Sequence, residues 1–237
     1  MSTIKEPTFK KFISKCIDNE NLELECVFDS DNTDKNIFLR IVNSFKSISK
    51  FNSEEFYLDV SIQDYKKVSD IRMTITGKSN IMDYCKSDSI VAIDNVSFLK
   101  KNIYKENSPE FGSNDYTFRV FDKELDHRLN IKSEVEVAKE SGDVEAFLNN
   151  YSDKFKNFRY KKRYSFISFD KLFRFDITVV KNNKRKSKTF KGADILSNKE
   201  TYEVEIEYIG SQMNEDGVKY LEQYYKERDE YFAQKNH

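Results

Sequence analysis

The sequence predicts an α+β fold in which helices pack against an antiparallel β-sheet. Much of the chain alternates apolar and polar residues with the period of two that is typical of strands. Helix-like segments are interspersed among the strands without the strict βαβ order that builds a parallel sheet. Aromatic residues make up 14% of the 237 residues, enough to supply a core although 34% of the chain is charged.

The elements can be assigned in order from these two periodicities. Strands are predicted at residues 21–28, 55–62, 70–77, 96–104, 114–125, 157–168, 171–181 and 201–210. Helices are predicted at residues 9–19, 35–51, 80–88, 133–151 and 217–234. In the second helix, the apolar stripe is expected to bury Ile37, Leu39, Ile41, Val42 and Phe45. A tight turn near Asp170 is expected to join the two long strands at residues 157–168 and 171–181.

Composition excludes several classes of function. The net charge is −1, so no global field attracts the chain to nucleic acid or to a membrane, and any polyanion site must be local. The three cysteines lack metal-binding spacing, and only two histidines are present. Without a signal peptide or an apolar run long enough to span a bilayer, we expect an intracellular, cytoplasmic protein with no membrane partner.

The strands carry charged residues that are sorted by sign. On several strands one face is apolar and the other bears charges, mostly of a single sign. Rows of like charge destabilise an ordinary sheet, because cross-strand neighbours repel each other. The rows are Glu23 and Glu25; Glu203, Glu205 and Glu207; Arg159, Lys161 and Arg163; and the mixed row Arg174, Asp176 and Thr178.

Two interpretations fit this sorting. In the first, the sheet is half-solvated, with its apolar face on the core and its charges in water. In the second, the apolar face packs outward against the amphipathic helices, and the charged face lines a polar lumen. The lumen interpretation explains the sorting by sign, since a bound group of opposite charge could lie between the rows. Spacing alone leaves both open.

A charged lumen of this composition suits phosphate chemistry. Clustered carboxylates without His or Cys match a hard cation such as Mg²⁺ or Mn²⁺. Arg and Lys side chains match phosphate oxygens. Together they predict metal-assisted hydrolysis of a phosphoanhydride, in which a further carboxylate orients the attacking water.

Four motifs resemble those of a known family. ELECVF and EVEIEY resemble the paired glutamate motifs of the triphosphate tunnel metalloenzymes, while RYKKRY and RFDIT resemble the basic strand and the Arg-x-Asp-x-Thr strand of that family. The order of the motifs is similar to that of the metal-dependent RNA 5′-triphosphatases of fungi and large DNA viruses, which begin mRNA capping. Within that class the chain looks like the triphosphatase domain of a giant-virus, mimivirus-like capping enzyme.

The resemblance implies a fold and a set of roles. The fold would be an antiparallel eight-stranded β tunnel with a hydrophilic interior and helices outside. Glu23, Glu25 and Glu207 would bind Mg²⁺ or Mn²⁺, and Glu205 would hold the water, with Glu203 close by. Arg174, Asp176 and Thr178 would complete the catalytic group. The triphosphate would contact Arg72, Arg159, Lys161, Arg163 and a lysine of the next strand, for which we expect Lys100 rather than Lys101.

The substrate and the extent of the protein stay open. Val27 stands where other branches of the superfamily carry a lysine, which favours RNA ends over the adenylate cyclase and thiamine-triphosphatase branch. Nucleoside triphosphates, inorganic triphosphate and a non-enzymatic polyanion-binding module remain alternatives. We expect residues 1–237 to form one tunnel domain, either alone or as the N-terminal part of a larger capping enzyme. The motif of a guanylyltransferase is absent, so that partner would be linked or coupled, in a viral factory or virion if the chain is viral.

One basic segment falls outside these motifs. KNNKRKSKTFK, residues 181–191, has two interpretations. It could guide RNA toward a tunnel mouth, or it could be a charged hairpin tip in solvent. Charge runs are usually solvated, so the second interpretation is favoured from sequence.

Overall fold

The computed structural model describes residues 22–28, 34–63, 68–103, 119–122, 127–149 and 151–210. The helices predicted at residues 9–19 and 217–234 lie outside these ranges. Within the described residues, no helix combines the length and the apolar character needed to cross a membrane.

Strands account for most of the described chain, as the alternating segments predict. They are β1 (Leu22–Phe28), β2 (Ser49–Gln63), β3 (Val68–Thr76), β4 (Val96–Ile103), β5 (Arg119–Asp122), β6 (His127–Glu136), β7 (Phe155–Ser168), β8 (Phe173–Asn182) and β9 (Thr201–Tyr208). The α-helices among the described residues are α1 (Lys35–Ile48), α2 (Lys78–Ser87), α3 (Gly142–Asn149) and α4 (Phe190–Ala193), followed by a 3₁₀ turn at Ile195–Ser197.

The strands form one antiparallel sheet that closes on itself. Its order is β1-β9-β8-β7-β2-β3-β4-β6-β5, and β1 pairs with β6 as well as with β9. Eight strands therefore form a ring, while the short β5 pairs along β6 outside that cycle. Closure gives each of these eight strands a paired neighbour on both sides. The predicted antiparallel eight-stranded tunnel is confirmed.

Alternation along the strands separates an apolar outer face from a polar inner face. On β2 and β3, Leu58, Val60 and Met73 are fully buried on the side that the helices cover. The intervening residues Asp59 and Thr74 point into the ring, where the Thr74 hydroxyl donates to the Asp59 carboxylate at 3.0 Å. The lumen is therefore hydrophilic and the apolar core lies outside the barrel, as the lumen interpretation predicts.

The helices cover two parts of the outer face. Helices α2, α3 and α4 bring Tyr84, Phe147 and Phe190 onto a core built around Phe158 and its neighbours. Helix α1 covers β8 and β9, where the ring of Phe45 stacks on Phe175 with centroids 4.4 Å apart. Aromatic residues thus join helices to sheet, which accounts for their abundance in a chain without Trp.

The buried stripe of α1 differs from the predicted one. Ile37 and Phe45 are buried as expected, but Phe38 is buried and Leu39 is 48% exposed. Phe38 contacts the ring of Tyr202 on β9, with centroids 4.8 Å apart. The helix is rotated toward Phe38, so Leu39 points to solvent and Ile41 and Val42 lie half-buried at the sides.

The helix predicted at residues 133–151 is wrong over its first part. Residues 133–136 end strand β6, which pairs with β4, and helix α3 begins only at Gly142. SEVEV alternates with a period of two, and pairing on both sides of β6 closes the ring.

The β7–β8 hairpin is confirmed, with a turn in which Asp170 accepts from the Leu172 amide at 2.9 Å.

Replacing Phe158 with Ala should destabilise the fold strongly. Its ring is 1% exposed and lies against Phe190 and Tyr84, with centroids 5.8 and 6.4 Å away. We expect the free energy of unfolding in urea to fall by about 3–5 kcal/mol. Phe155→Ala is the control, because this phenylalanine of the same strand is 45% exposed. Equal losses in the two variants would contradict the proposed position of the core.

Candidate functional site: a charged lumen

The sorted charges lie on four adjacent strands of the lumen. Strand β9 lies between β1 and β8, and β7 follows β8. The glutamate rows of β1 and β9 are therefore side by side on neighbouring strands. The registers align Glu207 with Glu25 and Arg174, Glu205 with Asp176, and Glu203 with Thr178.

Three carboxylates group where β1 meets β9. Glu25 is buried and pairs in register with Glu207, and Glu23 is close enough to influence the charge of Glu207. The pKa of Glu207 is raised to about 7, chiefly by burial and also by the charges of Glu23 and Asp176, while Arg174 opposes the rise. Carboxylates this close together repel each other when they are ionised, so this group favours a bound cation.

Arg174 connects this group to the centre of the lumen. Its guanidinium forms an ion pair with Glu207 across the β8–β9 register, and its Nε lies 3.1 Å from Asp176 Oδ2. Burial opposes the charge of Arg174, but the carboxylates of Glu207 and Asp176 outweigh it and hold its pKa above the ordinary value.

Arg163 bridges the carboxylates of two strands. Its Nη1 lies 3.1 Å from Asp176 Oδ2 and its Nη2 lies 3.2 Å from Glu205 Oε2. Nε is 3.4 Å from the Thr178 hydroxyl, while the Ser165 hydroxyl donates to Asp176 at 2.6 Å. Burial disfavours the charge, but Asp176 and Glu205 hold the pKa of Arg163 above its ordinary value.

The remaining glutamate of β9 also has a basic partner. Arg159 of β7 forms an ion pair with Glu203, two strands away. Arg159, Arg163 and Arg174 thus contact Glu203, Glu205 and Glu207 respectively. Each guanidinium offers the planar fork that suits either a carboxylate or a phosphate.

Lys161 and Arg72 meet at a carboxylate that sequence reasoning missed. Lys161 Nζ lies 2.6 Å from Asp59 Oδ2, and Arg72 Nε lies 3.9 Å from the same oxygen. Burial lowers the pKa of Lys161 to about 8, and the charges of Arg163 and Arg72 add to this effect, while Asp59 opposes it.

A signal for Asp59 was present in the sequence. In EFYLDVSI, Tyr57, Asp59 and Ser61 alternate with apolar residues, so the strand has a polar face like the others. Its face mixes residue types rather than repeating one charge, and this made it look like an ordinary solvated strand. Tyr57 also belongs to the lumen, where its ring centroid lies 5.2 Å from Lys161 Nζ and 5.7 Å from Arg163 Cζ.

The structure does not bring Lys100 to the lumen, and the prediction that it faces inward is wrong. Its Nζ lies 2.8 Å from Asp143 Oδ2 on helix α3, which packs outside the barrel. The register pairs Lys100 with Ile71, a residue of the apolar outer face, and so accounts for this direction. The side chain of the alternative, Lys101, lies outside the described part of the structure.

The carboxylate oxygens where β1 meets β9 are ligands that suit a hard divalent cation. The carboxylates of Glu23, Glu25 and Glu207 supply only oxygen ligands on adjacent strands, as Mg²⁺ and Mn²⁺ prefer. Among the residues described, no three Asp, Glu, His or Cys side chains are arranged as a closed ligand group. Glu207 is instead turned toward Arg174, so a cation would have to compete with that ion pair.

Comparisons with known proteins agree with this architecture. Residues 117–234 match the family model described as mRNA capping enzyme, beta chain. The monoclinic mimivirus capping enzyme triphosphatase matches with a TM-score of 0.66 and 20% identity, covering 96% of this chain and 97% of that one. The RNA triphosphatase domain of a trifunctional mimivirus mRNA capping enzyme gives a TM-score of 0.63 at 20% identity, with 95% and 97% covered. No curated protein matches the chain.

Removing the guanidinium of Arg163 should destabilise the barrel. Arg163→Met leaves the carboxylates of Asp176 and Glu205 without the cation that they share, and Asp176 is 2% exposed. We expect the free energy of unfolding to fall by about 3–5 kcal/mol, because the buried Asp176 carboxylate loses one of its two cationic partners and keeps only Arg174.

The control for this prediction is Lys162→Met. Lys162 immediately precedes Arg163 and lies on the opposite face of the strand. Its ammonium lies 2.7 Å from the exposed Glu54, so the loss should stay below about 1 kcal/mol. Urea denaturation of both variants at neutral pH checks the prediction. A similar small loss in both would mean that Arg163 is not the partner of a buried charge.

Proposed function

Since residues 117–234 belong to the mRNA capping enzyme β-chain family, we propose that this protein hydrolyses the γ-phosphate from triphosphate-ended RNA. The product would be the diphosphate end that the next capping step requires. The observation that carries the proposal is the charged lumen, in which the basic row of β7 contacts the acidic row of β9. The family match spans both of these rows.

The proposed metal ligands are Glu23, Glu25 and Glu207. A divalent cation, Mg²⁺ or Mn²⁺, would neutralise the carboxylates and polarise the terminal phosphate when bound. The raised pKa of Glu207 supports this assignment, because buried, adjacent carboxylates are stabilised by a cation. The proposal requires Glu207 to exchange its contact with Arg174 for the metal.

The phosphate contacts are assigned to the basic side chains of β7 and β3. Arg159, Lys161, Arg163 and Arg72 all lie in the lumen, and each is held by a carboxylate. These carboxylates fix the side chains before substrate enters, so less conformational entropy is lost on binding. Phosphate oxygens would then take over some of the positions that carboxylate oxygens occupy.

The catalytic role falls on Glu205, with support from its neighbours. Glu205 would orient the attacking water, and Glu203 lies on the same face one alternation away. Asp176 and Thr178 both contact Arg163, and Arg174 contacts Asp176, so these three would position the guanidinium and the water. Water orientation by a carboxylate and stabilisation of phosphate charge by arginines are the main demands of phosphoryl transfer to water.

Inorganic triphosphate or a nucleoside triphosphate is the second candidate substrate. The basic groups of the lumen match phosphate oxygens, which RNA ends, nucleoside triphosphates and inorganic triphosphate all share.

A non-enzymatic binding module is less consistent with the lumen. It predicts normal titration of Glu207, whereas burial raises the pKa of this carboxyl group to about 7.

We also propose that the chain acts as one tunnel domain coupled to a guanylyltransferase. The mimivirus structure that matches nearly the whole chain is one domain of a trifunctional capping enzyme. By analogy, residues 1–237 would perform only the first step, and the linked or associated partner would act on the diphosphate end.

Release of phosphate from triphosphate-ended RNA tests the proposal. We expect turnover only with Mg²⁺ or Mn²⁺. Glu25→Gln and Glu205→Gln should each lower kcat on the order of 10²- to 10⁴-fold while the protein stays folded. Glu54→Gln is the matched control, because this exposed glutamate pairs with Lys162 on the outer face. Full activity in either lumen variant would overturn its assigned role.

The same assay decides between substrates. Triphosphate-ended RNA, ATP and inorganic triphosphate are compared by kcat/KM under one metal concentration. A higher value for RNA supports the capping role, and a large preference for inorganic triphosphate favours the second candidate.

Phosphate binding should weaken at alkaline pH through Lys161. Its pKa is about 8 in the free protein, so it is charged below that pH and loses its proton as the pH rises through 8. Because kcat/KM reports the free enzyme, we expect this ratio to fall above about pH 8. Lys161→Arg should keep the ratio level to higher pH, whereas Lys162→Arg should leave the wild-type decline unchanged. A wild-type profile that stays flat through this range would contradict the prediction.

A further inference from the structure

A row of basic side chains outside the lumen is exposed in the segment that follows β8. Lys184, Arg185, Lys186 and Lys188 all point to solvent between Asn183 and Thr189. Among the described residues, none of these four side chains lies within salt-bridge distance of a carboxylate. Together they form a local concentration of positive charge on a protein whose net charge is −1. We call residues 183–189 the basic loop.

The backbone of the basic loop is fixed by hydrogen bonds. The Asn183 side-chain carbonyl accepts from the Phe158 amide at 2.8 Å, and its NH₂ group donates to the Lys156 and Arg185 carbonyls at 3.2 and 2.8 Å. The Lys156 amide donates to the Ser187 carbonyl at 2.8 Å. The loop is therefore anchored along β7 through its backbone, while its basic side chains lie in solvent, as the interpretation favoured from sequence expects.

Further contacts fix the end of the loop. Lys156 is 3% exposed, and its Nζ donates to the Lys188 carbonyl at 2.6 Å. Just beyond the loop, the Phe190 ring packs on Phe158 and its amide donates to Asp88 at 2.6 Å. These anchors use backbone groups of the loop, which leaves the basic side chains directed outward.

The basic loop lies at one mouth of the tunnel. A polar cavity of about 310 Å³ is lined by the lumen residues Asp59, Arg72 and Arg159 and by Asn182 and Asn183, which lead into the loop. The cavity thus connects the basic part of the lumen with the start of the loop. Ser61 and Asn157 add further hydrogen-bonding groups to its wall.

The two ends of the lumen are lined by different groups. The carboxylate group of Glu23, Glu25 and Glu207 lies toward one end of β8 and β9, and the cavity lies at the other. Arg174, which is in register with Glu207, and Asn182 are eight residues apart on β8, roughly 26 Å along the strand. A triphosphate whose terminal phosphate lies by the carboxylates would direct its nucleoside to the cavity.

We propose that the RNA chain leaves the tunnel through this mouth and that the basic loop binds its phosphodiester backbone. The proposal rests on the proposed function and adds a binding surface for the nucleotides that follow the first. The basic side chains complement a polyanion in charge, and the anchored backbone presents them without a large ordering cost. Such a surface would favour RNA ends over free nucleotides, which do not reach it.

The test is a variant that removes the four charges but keeps the backbone. Lys184, Arg185, Lys186 and Lys188 are replaced together by Gln, and kcat/KM is measured for triphosphate-ended RNA, ATP and inorganic triphosphate. We expect kcat/KM for a long RNA to fall about tenfold or more at low salt, and its salt dependence to weaken. The values for ATP and inorganic triphosphate should stay at the wild-type level.

A charge-matched control separates the loop from net charge. It replaces four other exposed lysines, Lys35, Lys46, Lys50 and Lys139, by Gln and should keep wild-type kinetics on all three substrates. RNA kinetics that are unchanged in the loop variant, or equally reduced in the control, would overturn the proposal. Lack of turnover by the wild type on every substrate would instead refute the proposed function.

Photocrosslinking gives a second readout that does not depend on a variant. Triphosphate-ended RNA with a photoreactive base in its first few nucleotides is bound to the wild-type protein and irradiated. Crosslinks to peptides within residues 181–191 support the proposal, and crosslinks confined to other surfaces overturn it. The result stands even if the fourfold variant fails to fold.

Discussion

The structure depends on compensation of charge inside a closed polar barrel. Taking a carboxylate or a guanidinium out of water is costly unless a partner of opposite charge is held beside it. The fork of Arg163, which reaches Asp176 on β8 and Glu205 on β9, is the clearest case. Arg159 with Glu203, Arg174 with Glu207 and Lys161 with Asp59 repeat this arrangement along the lumen. The register of β7, β8 and β9 aligns the arginines with the glutamates, and the pairing of β2 with β7 brings Asp59 to Lys161.

The same pairs connect stability with function. An ion pair in the lumen adds little net stability, since desolvation offsets much of the attraction, but it fixes where each charge points. A triphosphate with a divalent cation carries both signs of charge, so it can take over partners on both rows. The apolar core must then lie elsewhere, and it does: Phe158, Tyr84 and Phe147 pack between the outer face and the helices. The fold thus separates the groups that hold the protein together from those that contact substrate.

Alternation in the sequence was enough to predict the walls of the lumen that repeat one charge or one motif. Glu23 with Glu25, the three glutamates of β9 and the basic row of β7 all occupy one face, as expected. Strands with a mixed or doubled pattern were not predictable in this way. Asp59 shares its face with Tyr57 and Ser61 instead of a row of like charges. Lys100 and Lys101 are adjacent lysines whose direction depends on the register with β3. Residues 133–136 became strand because β1 and β4 both pair with β6, a long-range constraint that local helical spacing cannot show.

The most direct measurement is a crystal structure with Mn²⁺ and inorganic triphosphate bound, in which anomalous scattering locates the metal. We expect a manganese peak inside the barrel beside Glu23, Glu25 and Glu207, with triphosphate oxygens on Arg159, Lys161 and Arg163. Manganese and triphosphate found only on the outer surface, with the arginine–glutamate pairs of the lumen intact, would contradict it.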